Sequence, residues 1–128
     1  MYLTDEVNSY IALLKSKPYY ADKYVIAAYP YAYSPTRLDR PLIAVSPGGI
    51  EAKCAGIGSD TYCATYGIRV DVFVPQSSGT PCVSDVITKI VDDAKELCPI
   101  AYTSSEITAE NSISCFKSRI MFKHSGTV

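Results

Sequence analysis

One histidine, His124, and five cysteines (Cys54, Cys63, Cys82, Cys98 and Cys115) are the residues with which this chain could build a nucleophile, a base or a zinc site. The cysteines are spaced 9, 19, 16 and 17 residues apart, with no Cys-x-x-Cys pair, so a zinc site would need scattered ligands. Cys82 stands in the expected first turn of a helix, where the helix N-terminus lowers a thiol pKa. A Cys82–His124 dyad requires the last strand to return beside that helix. The plainer reading is a cysteine packed under the helix. An odd count without paired spacing points to reduced, mostly buried thiols rather than a secreted disulfide framework.

Two further patterns invite a chemical reading and fail it. Gly56-x-Gly58 has no third glycine and no helix beginning after it, so it is not a phosphate-binding loop. Asp92-Asp93 sits on a helix, where adjacent side chains point in different directions. A solvated face is expected there, not an acid/base pair. No Ser/His/Asp set emerges. The sequence asks for no enzyme, no metal and no cofactor.

The elements that would position these residues follow from periodicity. Leu3, Val7, Tyr10, Ile11 and Leu14 form one stripe of a helix that Thr4 caps, that Asp5 and Glu6 open and that Pro18 stops. Tyr24–Tyr29 reads as a strand, and Leu42–Val45 as another. Ser46-Pro47-Gly48-Gly49 then reads as a type II turn, with Ile50–Cys54 returning as a further strand. A loop follows over Ala55–Asp60.

The clearest pattern spans Tyr62–Val74. Tyr62, Ala64, Tyr66, Ile68, Val70, Val72 and Val74 alternate with Cys63, Thr65, Gly67, Arg69, Asp71 and Phe73, which predicts a long strand with one apolar and one mixed face. Thr80-Pro81 opens a second helix. Its stripe is Val83, Val86, Ile87, Ile90, Ala94 and Leu97, and Pro99 closes it. Strands are expected around Ala101–Thr108 and Ser112–Lys123, with the last five residues frayed.

The result is one α+β domain over residues 1–128, a mainly antiparallel sheet packed with two amphipathic helices in the order α-β-β(-β)-β-α-β-β. Twelve basic and thirteen acidic residues leave a formal charge of −1 without a block of like charges, which argues against specific nucleic-acid binding. The apolar runs are too short to span a membrane. The opening Met-Tyr-Leu-Thr-Asp-Glu is acidic where a secretory leader is basic, so a cytosolic protein is expected.

Assembly is the better-supported role. Six of the eleven tyrosines fall between Tyr19 and Tyr33, and tyrosine and arginine are enriched at interfaces. The alternative is that these rings cover the protein's own sheet. Tyr29, Tyr31, Tyr33, Arg37 and Arg40 are the candidate contacts there, and Arg69, Asp71 and Phe73 those on the long strand.

The layout resembles the tail terminator (tail completion) proteins of long-tailed bacteriophages and of phage tail-like particles. The resemblance is carried by the N-terminal helix, the stretch Tyr29-Pro30-Tyr31-Ala32-Tyr33-Ser34-Pro35 and the strand Pro41-Leu42-Ile43-Ala44-Val45-Ser46. Tyr66-Gly67-Ile68-Arg69-Val70-Asp71-Val72-Phe73-Val74-Pro75, its loop and the second helix complete it. It implies an α+β subunit of a homo-oligomer, a hexameric ring that caps the tail tube, halts its polymerisation and offers a surface to the head or neck. The implied partners are tail tube, sheath where the tail contracts, and neck or head-completion proteins. The implied location is the virion or tail-like particle, assembled in the bacterial cytoplasm. Another neck or tail-tube ring component, a thiol enzyme using Cys82, and a ligand-binding domain with a tyrosine-lined pocket are the alternatives.

Overall fold

The computed structural model describes residues 3–27, 39–54, 58, 62–111 and 114–127. Its elements in chain order are α1 (Leu3–Ser16), β1 (Tyr24–Ala27), β2 (Leu42–Cys54), β3 (Tyr62–Pro75), α2 (Gly79–Ala94), β4 (Ala101–Ser104), β5 (Thr108–Glu110) and β6 (Cys115–Thr127). The six strands form one mostly antiparallel sheet in the order β1-β2-β3-β6-β4, with β5 also paired to β6. This is the expected α+β class.

β3 is the axis of the sheet. It pairs antiparallel with β2 on one side and with β6 along nearly its whole length on the other. Its period-two pattern behaves as expected, since Ile68, Val70, Val72 and Val74 are fully buried on one face. Both helices pack on that face, α1 over β1 and β2 and α2 over β3 and β6. Val7, Tyr10 and Leu14 of α1 and Val83, Val86, Ile90 and Ala94 of α2 complete the core. Truncating one of its fully buried residues, Ile68→Ala for example, removes about 2–5 kcal/mol.

Four departures from the sequence reading have physical causes. β2 is continuous through the expected turn: the register with β3 shifts between Pro47 and Ile50, making Pro47-Gly48-Gly49 an irregularity within one strand. A type II turn needs φ > 0 at its third residue, and neither Gly48 nor Gly49 has it. Gly48 instead permits a close approach of two backbones, since a Cβ there would stand 2.9 Å from the Gly67 carbonyl oxygen. β1 and β2 run parallel, not antiparallel, because residues 28–41 between them give the length a crossover requires.

The helix starts also differ in detail. α1 already includes Leu3, so Thr4 lies within its first turn instead of capping it. α2 is entered through Gly79 at φ 78°, one residue before Thr80, where the helix is expected to open.

The C-terminal segment departs most. The expected strand Ala101–Thr108 is interrupted where Ser105 bonds to β6: its Oγ accepts the Arg119 N–H at 2.9 Å, and its carbonyl accepts from Ser118 Oγ at 3.0 Å. β6 runs on to Thr127, so residues 124–127 are strand and not frayed. His124 is buried there at 5% exposure.

Candidate interface on the sheet face opposite the helices

The face of the sheet opposite the helices carries no described element. Strand register arranges its side chains in rows that cross the sheet. One row is Tyr24–Leu42–Phe73–Lys117, the next Ile26–Ala44–Asp71–Arg119, and the third Ser46–Arg69–Met121. Apolar character falls along this series, from the small cluster of Leu42, Ala44, Phe73 and Ile26 towards the polar row at Ser46.

Three of the expected contact residues therefore do share one face, but they are not equivalent. Phe73 is buried, with the Lys117 ammonium 5.6 Å from its ring centre. Asp71 is 4% exposed and accepts a hydrogen bond from Arg119 Nε at 2.8 Å. Both have partners inside the subunit. Arg69 has none: it is half-buried, its Nε is fully buried, and among the described residues it makes no ion pair or hydrogen bond. Its neighbour across the strand pair, Ser46, is 1% exposed, and its Oγ likewise lacks a partner. Two adjacent buried donors without acceptors are costly. They mark this row as the least satisfied polar part of the described residues.

Arg40 lies at the far corner of the same face. Its guanidinium sits 4.9 Å from the Tyr24 ring centre and 3.5 Å from the Asp39 carboxylate. Tyr29, Tyr31, Tyr33 and Arg37 lie outside the described residues. Of the other tyrosines, Tyr20 serves its own subunit, donating to Asp93 Oδ2 at 2.7 Å. Asp93 is consequently not on a solvated face: it is 6% exposed and also receives Lys89 Nζ at 3.1 Å.

Two groups of interest lie under the helices instead. The Tyr10 hydroxyl and His124 Nε2 share a hydrogen bond, and the Tyr66 ring stacks on the imidazole at 5.3 Å. Burial lowers the His124 pKa, opposed by the Glu6 carboxylate, and pushes the Tyr66 phenol up to about 12. This cluster joins α1 to β3 and β6. Cys82 takes no part in it. Pro75, just before α2, pairs with Cys115, whereas His124 pairs with Tyr66 at the opposite end of the strands, about 30 Å away at the usual rise per residue. The dyad does not form.

The thiols are also less buried than expected. Of the four cysteines whose side chains are described, Cys63 and Cys98 are exposed, Cys82 is half-buried and only Cys115 is buried. Among the described residues no three of His, Cys, Asp and Glu come together to hold a metal ion. No helix among them is long and apolar enough to cross a membrane.

Sequence reasoning missed Ser46, Lys117, Arg119 and Met121. The signal was available in the last strand, where Phe116, Ile120, Phe122 and His124 alternate with Lys117, Arg119, Met121 and Lys123. Extending that period-two pattern through His124 would have placed the basic set on the face opposite the helices. Ser46 was hidden by the expected turn.

The described residues define an α+β subunit with helices on one side of its sheet and, on the other, a row with two unsatisfied buried polar atoms. No protein-family model matches the chain, and no curated protein is similar to it in sequence.

Proposed function

We propose that the chain is a structural subunit that forms a ring, most simply a hexamer, on the end of a phage tail or tail-like particle tube. The ring ends tube polymerisation and offers the surface that the neck or head joins. The reading rests on the resemblance to tail terminators. The observation that supports it best is the sheet face opposite the helices, where Arg69 Nε and Ser46 Oγ are buried polar atoms that no described group of the subunit satisfies. A subunit whose two sheet faces differ, with both helices on one of them and no described element on the other, suits a head-to-tail contact, the kind that closes into a ring.

The test is tube growth. Purified tube protein from the same particle should stop elongating when this chain is added, giving short tubes with the chain at one end only. Tubes of unchanged length with no bound chain would refute the capping role. Binding along the whole tube, without arrest, would favour the reading as another neck or tail-tube component.

A further inference from the structure

We infer that β4 (Ala101–Ser104) pairs antiparallel with the same strand of a second copy of this chain, with Thr103 facing its own counterpart across a two-fold axis. The inference goes beyond the ring reading and does not rest on it. A two-fold contact uses one surface twice, whereas the contact within a ring joins two different surfaces. Pairing through β4 therefore joins two free chains, or one ring to another.

β4 ends the sheet. It pairs with β6 on one side only, and every residue from Ile100 to Glu106 is exposed. The ladder to β6 fixes which backbone groups are free. The Ile100 N–H bonds the Lys123 carbonyl and the Ser105 N–H the Arg119 carbonyl, both at 2.8 Å. Alternation along an antiparallel pair turns Ala101 and Thr103 towards β6 in the same way as Ser105. It leaves the amides and carbonyls of Tyr102 and Ser104 on the free edge. Unpaired backbone groups in a row are a template for another strand. Two large apolar side chains stand beside them, Ile100 at 56% exposure and Tyr102 at 53%, the Tyr102 ring centre 6.2 Å from that of Phe122.

Charge and register single out a second β4 as the occupant. From Leu97 to Ser105 the chain carries no charged residue, and β4 itself has neither the lysine nor the proline that guards an edge. A charged partner strand finds no complement there, while a like strand brings no repulsion. One symmetric register uses both free positions fully: Tyr102 lies opposite Ser104 of the partner subunit, and Ser104 opposite Tyr102 of the partner subunit. Centring the pair on Tyr102 would call on Ile100, whose N–H is already taken. Centring it on Ser104 would set Tyr102 against the charged Glu106. In the favoured register the two Thr103 side chains meet at a non-hydrogen-bonded position, where threonine pairs are favourable. The two Tyr102 rings become diagonal neighbours on one face, within reach of each other.

Amide exchange and sedimentation velocity on the full chain test this. As concentration rises, the Tyr102 and Ser104 amides should become protected, while Ala101 and Thr103, already bonded to β6, change little. Thr103→Lys and Thr103→Glu each set like charges opposite one another and should raise the concentration needed for pairing at least about threefold. An equimolar mixture of the two variants should pair at least as well as the wild-type chain. Ser104→Pro removes an outward N–H without touching the ladder to β6, and should also weaken pairing. Unchanged β3 and β6 amide resonances certify the fold of each variant. Tyr102 and Ser104 amides that stay unprotected at every concentration, or a mixture no better than either variant alone, would overturn the pairing. Rings whose β4 amides remain unprotected would overturn it and leave the ring reading standing. Pairs joined through β4 that never close into rings would do the reverse.

Discussion

Arg119 on β6 donates its Nε–H to the Asp71 carboxylate on β3 at 2.8 Å, closing a cross-strand pair in the middle of the sheet face opposite the helices. The two ends differ in solvation. The Asp71 side chain is 6% exposed and that of Arg119 38%. Attraction alone is therefore partly screened at the arginine, while the carboxylate depends on it.

The first prediction concerns that asymmetry. Arg119→Met strands a buried carboxylate and should cost about 1–3 kcal/mol in urea unfolding. Adding Asp71→Leu should restore most of the loss, since the buried charge is then gone. A double variant as unstable as the single would show that the pair contributes through its own attraction.

A second prediction concerns acid. His124 is faced by Tyr10 and Glu6 from α1 and by Tyr66 from β3, and its folded pKa lies below the ordinary 6.5. Between 6.5 and that lower value the unfolded chain binds a proton that the folded chain does not, so stability should fall as pH drops through this window. His124→Gln should flatten the pH–stability curve there. An identical slope in both proteins would contradict the assignment.

Much of the fold was legible because alternation and helical stripes are strong signals when one face is buried. β3 is the clearest case: spacing alone places residues 63–74 on the correct faces. The irregularity in β2 was not legible, because Pro-Gly-Gly serves a turn or a close backbone approach equally well. Only the partner strand, with Gly67 opposite, decides between them. Asp93 was misplaced for a similar reason. Its helical position is intermediate, and only the arrival of the Tyr20 hydroxyl makes burial tolerable. The face opposite the helices was half legible: β3 showed its own side, but Ser46 and Arg119 could join Arg69 and Asp71 only once the register was known.

The third prediction separates two adjacent glycines. Gly48→Ala drives a Cβ to 2.9 Å from the Gly67 carbonyl oxygen, a backbone atom that cannot swing aside, and should cost about 1–3 kcal/mol. Gly49→Ala meets nothing within 4 Å and should lie within about 0.5 kcal/mol of wild type. Thermal melts of the two variants decide it, and equal stability would mean that the strands are not so closely apposed.

The claim at the centre of this account is ring assembly, and the most direct test is the mass and symmetry of the assembled chain. Native mass spectrometry and negative-stain imaging across a concentration series, with and without tail tube, should show six copies in a closed ring, either free or at one tube end. A chain that stays monomeric throughout, and never associates with tube, would contradict it.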